Sequence, residues 1–565
     1  KQFQKYGVAA AVASMAAGTM ATTVSKHEVG DLAIVPYYTV NNGFNTGVHI
    51  INTSDATQVV KFRLRRGADS KDALDFNIVM SPRDEWTGNI TKNDDDIVVV
   101  ETNDTTCTVP EFPAGGAPMP STFAAGATEG YIEIIAMAAA DDKQPISKAA
   151  KHAKGVPADC DAVRNNFFRV SAENAGKGAV KGVHSSLLTS NGAQTALASE
   201  ASIATNLSSF GDSVNPLKVS FMITDSEGGL EFGDNAVMIE DFSGKPMMTN
   251  QQALSFGTDG VLKFDALNFE LPNLNQGALT DTSSDRSTSN AALALSTDAL
   301  YQDLRAALDA DKIINDWAAI ETGAATVATD WVVTLPGQYV MTNPVCDIYA
   351  NYDDATAGGC NTASLAAADR NELPLTLATN ASGDVAGQTS NMLLWDREEA
   401  ALNGKDPVTP GSEPELGFSP SGTSGEDPAA PKVAKLQREV NVISFNGASV
   451  LGTADSQAED LGLGVTVTVE GADRGWAELT IEPTAGAAIF SMTGEDGADV
   501  SPNGNNGSFA PVSIPAKTAV VGMAVWERQF SGQAGNYGRA IEHTTLTSSG
   551  GSVGNFTQRA NNNPS

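Results

Sequence analysis

The chain has 565 residues, with 68 Asp and Glu against 35 Lys and Arg and a formal net charge of −33. That length supports two or three separate cores. The charge argues against a nucleic-acid partner or an anionic membrane surface, both of which attract concentrated Lys and Arg. Hydrophobic residues make up 41% of the chain and recur with strand periodicity, which argues against general disorder.

Residues 1–26 read as a secretory signal peptide, or as a retained helix of small residues. Lys1 and Lys5 precede an Ala/Gly-rich apolar stretch, and Thr19-Met20-Ala21 forms a small-residue exit. Removal on export is the favoured expectation. The stretch is too short for a stable bilayer anchor, and no transmembrane span is expected elsewhere.

Residues 31–145 carry the first set of strand signals. Val60, Phe62 and Leu64 alternate with Lys61, Arg63 and Arg65, and Leu74, Phe76, Ile78 and Met80 alternate with Asp75 and Asn77. This is the period-two pattern of a sheet with one wet face. Asn41-Asn42-Gly43 and Ser81-Pro82-Arg83-Asp84 supply turns. Residues 146–325 form a mixed region, with alternation at Leu217–Ile223 and a predicted helix over 298–317. Ser296-Thr297-Asp298 would cap that helix, and Leu300, Leu304 and Leu308 would line one side. Strand signals resume over 326–530, interrupted by a Pro/Gly/acid-rich exposed loop at 404–433; residues 531–565 are a polar Gly/Asn-rich tail. The expected fold is mainly β, with two or more antiparallel, Ig-like β-sandwich modules. Glu129-Gly130-Tyr131-Ile132-Glu133-Ile134 echoes Arg474-Gly475-Trp476-Ala477-Glu478-Leu479, as one strand position repeated in two related modules would.

Cys107, Cys160, Cys346 and Cys360 contain no CxxC pair, so disulfides are expected rather than a zinc site. Proximity favours Cys107–Cys160 and Cys346–Cys360 among three pairings. Asp94, Asp95 and Asp96 with Glu101 and Asp104 offer hard oxygen ligands for calcium, against the plainer reading as solvated turn residues. Asp225-Ser226-Glu227 with Asp234, Asp353-Asp354, and Glu495-Asp496 with Asp499 are similar clusters. Gly550-Gly551-Ser552-Val553-Gly554 matches GxSxG, yet it lacks the flanking strand and helix that would strain a nucleophile elbow. His27, His49, His152, His184 and His543 show no metal-ligand spacing. No catalytic motif stands out. Lys61, Arg63, Arg65 and Arg66 form the one basic concentration, read either as a solvated face or as a docking stripe for an acidic surface on another copy.

Several segments resemble exported, cell-surface β-rich proteins of Gram-negative bacteria: IVPYYTV at 34–40, GVHIINTS at 47–54, ALDFNIVMSPRDEW at 73–86, TEGYIEIIAMA at 128–138 and EVNVISFNGASVLG at 439–452. Trp395 to Glu399 and Gly535 to Gly538 share the resemblance. It implies an envelope or extracellular setting and a β-rich fold, with no reaction attached. The resulting expectation is an exported structural protein whose partners are copies of itself, forming a surface layer, sheath or filament. An adhesin binding envelope glycan is the alternative, and a secreted hydrolase the third reading.

Overall fold

The structure is a computed structural model that describes residues 22–167, 210–244, 300–337, 388–398, 432–481 and 518–548 with a few short gaps, plus strand segments at 254–256, 262–264, 486–494, 507–514 and 556–558. The protein is mainly β, built from two antiparallel sandwiches. The first contains β1 (Leu32–Thr39), β2 (Phe44–Asn52), β3 (Thr57–Arg66), β4 (Asp72–Met80), β5 (Glu85–Lys92), β6 (Val98–Glu101), β7 (Glu129–Ala140), β8 (Leu217–Asp225), β9 (Leu230–Asn235) and β10 (Val237–Glu240). The second contains β11 (Lys312–Ala318), β12 (Ala325–Thr334), β13 (Gln388–Trp395), β14 (Lys432–Leu436), β15 (Val440–Phe445), β16 (Gly464–Val467), β17 (Arg474–Ile481), β18 (Val521–Phe530), β19 (Asn536–Glu542) and β20 (Thr544–Ser548).

Sheet I has the order β10-β1-β7-β3-β4, extended by Thr23–Val24 and Cys107–Val109 at its edges, and sheet II has the order β9-β8-β2-β5-β6, extended by Ala117–Pro118. Sheet III is β16-β15-β12-β18-β19, and sheet IV is β14-β13-β17-β11-β20, extended by Phe556–Gln558. Adding ten to each strand number converts sheet I into sheet IV and sheet II into sheet III. The two sandwiches are therefore the same ten-strand design used twice.

Individual hydrogen bonds repeat with the strands. The Asp31 amide donates to Ile239 and the Asp311 amide to Leu546; Ala136 donates to the Asp31 carbonyl and Ile481 to that of Asp311. Ala236 donates to Val219 as His543 does to Gly522. The sequence echo falls on matching strands, β7 and β17. Its glycine has a physical reason. A Cβ on Gly130 would lie 1.9 Å from the Arg65 carbonyl oxygen, and one on Gly475 would lie 1.8 Å from that of Trp395. Gly475→Ala is expected to cost about 1–3 kcal/mol by overpacking, read as a lowered midpoint in urea unfolding. One departure marks the second copy: β16 runs parallel to β15, whereas β6 runs antiparallel to β5.

The sandwiches stack by unlike faces. Val332, Val442, Val521, Met523 and Val525 of sheet III join the core cluster of the first sandwich. The Thr334 hydroxyl donates to the Pro36 carbonyl of β1 at 2.6 Å. Sheet III thus lies between sheet I and sheet IV, and its edge strand β19 also runs beside β9 of sheet II, where a Cβ on Gly538 would lie 2.5 Å from the Glu231 carbonyl oxygen. Sheet I lies between two layers, so β1 and β3 are buried along both faces. Within the first sandwich Phe62 stacks on Phe76 at 4.8 Å, with Trp86 tilted across both. Trp317 stacks on Phe445 at 5.1 Å in the second.

Three boundaries differ from expectation. The first sandwich does not close at 145 but takes β8 to β10 from the mixed region. The helices are short: α1 (Pro145–Ala150), α2 (Cys160–Phe167) and α3 (Leu300–Leu308). The helix expected over 298–317 is represented by α3 alone. Residues 312–318 form β11 instead, because β-branched Ile313 and Ile314 pair along β17. The tail from 531 contributes β19 and β20 to sheets III and IV. Cys107 and Cys160 form a disulfide with Cα atoms 5.3 Å apart, tying the edge of sheet I to α2. Cys346 and Cys360, residues 1–21 and nearly all of the 404–433 loop lie outside the described residues.

Candidate functional site

The basic stripe is not a docking surface of this fold. Lys61, Arg63, Arg65 and Arg66 are all at most 1% exposed. Lys61 pairs with Asp75 on β4. Arg65 Nε lies 3.1 Å from Glu133 Oε1 on β7, and Arg63 Nη1 lies 3.6 Å from Oε2. Arg63 also donates to the Pro272 carbonyl, Arg65 to that of Ser70 and Arg66 to that of Ala125. Alternation correctly marked a polar face of β3. It carried no sign of the chain that covers that face.

The acidic candidates do not converge. Asp94, Asp95 and Asp96 are exposed at the β5–β6 turn, where Asn93 Oδ1 accepts the Asp95 and Ile97 amides. Asp96 pairs with Lys92 at 3.0 Å, and Asp104 accepts the Thr106 amide. Glu101 is exposed at the end of β6. These are turn-forming roles. Asp225 likewise accepts the Gly228 amide. Among the described residues, no group of three or more His, Cys, Asp or Glu could hold a metal ion. Asp353-Asp354, Glu495-Asp496 with Asp499, and Gly550 to Gly554 lie outside the described residues.

One Ser–His contact does form. His152 Nδ1 lies 3.3 Å from Ser81 Oγ and 3.6 Å from Asp84 Oδ2, while Nε2 faces Thr105 Oγ1 at 3.2 Å. A serine relay needs the base nitrogen on the nucleophile and the orienting carboxylate on the other nitrogen. Here one nitrogen faces both Ser81 and Asp84, and the Ser81 hydroxyl can itself donate to Asp84. Thr105, on the second nitrogen, donates to the Gly155 carbonyl. The cluster joins three surface segments beside the disulfide, and burial pushes the Asp84 carboxyl up.

Buried titratable groups elsewhere brace loops. Asp31 accepts the Phe242 and Ser243 amides, and burial pushes its pKa up to about 7. Asp330 Oδ2 accepts the Val450 and Leu451 amides and the Ser449 hydroxyl, and burial pushes its pKa up to about 6. Ser449 also lines a small cavity of about 160 Å³, with Ser444, Thr453, Asp455 and Thr466. Burial lowers His543 to about 4; its Nε2 faces the Val332 carbonyl and its Nδ1 the Asn315 amide group, both at 3.0 Å.

The most distinctive surface is the outer face of sheet IV. Trp86, Trp317 and Trp331 are fully buried and Trp526 is 9% exposed. Trp395 and Trp476 are instead half-buried, stacked at 4.0 Å with a 10° interplanar angle. They sit opposite each other on β13 and β17. Successive cross-strand rows on this face are Trp395–Trp476–Asp316, Leu393–Glu478–Ile314 and Asn391–Thr480–Lys312. Lys312 Nζ meets Glu478 Oε1 at 2.5 Å. On sheet I the matching rows are Arg65–Tyr131 and Arg63–Glu133–Ile34. The same face is charged and buried in the first sandwich, aromatic and half-open in the second. Both halves of the Trp pair were visible in the sequence as single residues. Their adjacency depends on strands 81 positions apart in the chain.

Comparison with protein-family models, curated proteins and solved structures finds no match to the chain.

Proposed function

We propose that the protein is an exported structural subunit that polymerises into an extracellular array: a surface layer, sheath or filament. The observation that carries this reading is the unlike-face stacking of two equivalent sandwiches. Part of a sheet I face is covered by the sheet III face of the next sandwich, yet the corresponding faces at the two ends, on sheets IV and II, stay half-exposed or exposed. Such a junction is heterologous, and heterologous contacts that do not close into a ring extend indefinitely. The Cys107–Cys160 disulfide accords with an oxidising compartment. Among the described residues, no helix is long and apolar enough to cross a membrane.

Charge sets the conditions. At −33 per chain, copies repel at long range, and the repulsion fades when the Debye length shrinks to about 8 Å near physiological salt. Electron microscopy and sedimentation of the full chain, from low to physiological salt with and without calcium, are expected to show ordered polymers as screening increases. A monomer at high concentration under every condition overturns the reading.

The Trp395–Trp476 pair favours a second reading, an adhesin for envelope glycan, because tryptophan faces stack on sugar rings. Mutual stacking leaves each ring only its outer face, which weakens this alternative. Retention of the chain on a polysaccharide column, lost in Trp395→Ala, would favour it.

A further inference from the structure

We propose that the outer face of sheet IV docks on the outer face of sheet II of a second copy, reproducing between chains the sheet I–sheet III junction within one chain. This rests on the self-assembly reading and names the two surfaces it uses.

Sheet IV is the second sandwich's version of sheet I, and sheet II is the first sandwich's version of sheet III. The internal junction therefore already joins the two classes of face that the stack leaves open. A third sandwich added by the same rule would place its sheet II on sheet IV, and the first sandwich of another copy is such a third sandwich.

The open faces have suitable chemistry. Sheet IV presents Trp395, Trp476, Leu393 and Ile314 around the Lys312–Glu478 pair. Sheet II presents the rows Met222–Gly47–Asn89, Ser220–His49–Thr87 and Lys218–Ile51–Glu85. Met222 is 45% exposed, beside a glycine that leaves it room to lie across the sheet. A thioether is a good neighbour for an aromatic pair. Each face carries an ion pair, Lys312–Glu478 on one and Lys218–Glu28 on the other, beside further carboxylates: Asp316 on sheet IV, and Glu85, Glu101 and Glu231 on sheet II. Contact between them therefore depends on salt to screen these carboxylates, as the net charge of the chain requires.

Sheet II differs from sheet III in one respect that sets the strength of the contact. Where sheet III offers Val332, Val442, Val521, Met523 and Val525, sheet II offers Met222 and Ile51 among polar and charged side chains, Ser220, His49, Thr87, Asn89, Lys218 and Glu85. Burying this face removes less apolar surface from water, so the contact between copies is weaker than the internal junction and reversible. An assembly that forms and dissolves with salt follows.

The test uses complementation. Leu393→Glu spoils the sheet IV face and Met222→Glu the sheet II face, each in the full chain. Each variant alone is expected to lose polymers and to raise the critical concentration at least tenfold. Mixed in equal amounts they are expected to form one-to-one dimers that grow no further, since each brings one intact face. Near-ultraviolet circular dichroism checks folding, and Trp395→Arg replaces Leu393→Glu if that signature is lost. Polymers persisting in both variants, or a mixture that stays monomeric, overturn this junction while leaving self-assembly standing. A wild-type chain that never associates overturns both. Polysaccharide binding that Trp395→Ala abolishes without changing assembly assigns the face to a glycan and overturns the junction.

Discussion

Replacing Glu133 with Ala is expected to lower the unfolding free energy by about 3–5 kcal/mol, because it strips the carboxylate from between two buried guanidinium groups. Arg63 and Arg65 are both at most 1% exposed, and Glu133 meets each of them and accepts the Tyr131 hydroxyl at 3.1 Å. The repeat supplies an internal control. Glu478 occupies the matching position on sheet IV, paired with Lys312 on a half-open face. Glu478→Ala is expected to cost about 1 kcal/mol or less, since solvent screens that pair and replaces the lost partner. Urea titration of both variants reads the contrast; equal losses would show that burial does not govern the cost. The combined change Glu133→Leu, Arg63→Met and Arg65→Met is expected to recover most of the loss, as apolar residues of similar volume often do at buried ion sites.

Acid is expected to pull the stability in opposite directions at His543 and Asp31. His543 is held neutral, with its folded pKa near 4 against an ordinary 6.5. The unfolded chain then binds a proton between these values that the folded chain refuses. The contribution of His543 is therefore full above pH 6.5 and is lost as the pH falls toward 4, a change of about 3 kcal/mol. Asp31 is the reverse case, raised from 3.8 to about 7 by burial. Its folded form keeps a proton that the unfolded chain releases, so its contribution is full below pH 3.8 and disappears as the pH rises through 7. The span is on the order of 4 kcal/mol. Stability measured from pH 4 to 7.5 separates the two. The advantage of wild type over His543→Gln should shrink on acidification, and its advantage over Asp31→Asn should grow. Parallel curves for either pair would refute the corresponding assignment.

Much of the architecture was legible as local pattern. The alternation in β3, β4 and β8 placed Phe62, Phe76 and Val219 in the core. The Cys107–Cys160 pairing followed from proximity. The echo of residues 129–134 in 474–479 marked two copies of one strand position, because a strand that crosses its neighbour's carbonyl closely needs glycine wherever that crossing recurs. The helix expected through Trp317 shows the limit of such reading. Leu300, Leu304 and Leu308 do form a helical stripe, but pairing with β17 claimed Ile313 to Trp317 for a strand.

What the chain by itself determined is the pair of faces on each strand: which side chains are apolar, which are polar, and where the backbone must pass close. Only the tertiary structure decided what lies over each face. Lys61, Arg63 and Arg65 read as a solvated face or a docking stripe until α3, the segment near Pro272 and the second sandwich take their places around sheet I. Trp395 and Trp476 stand as single aromatics far apart in the sequence until β13 and β17 pair on an outer surface. The reason is that side-chain alternation follows from the backbone of one strand, whereas the covering of a sheet is set by contacts between residues hundreds of positions apart.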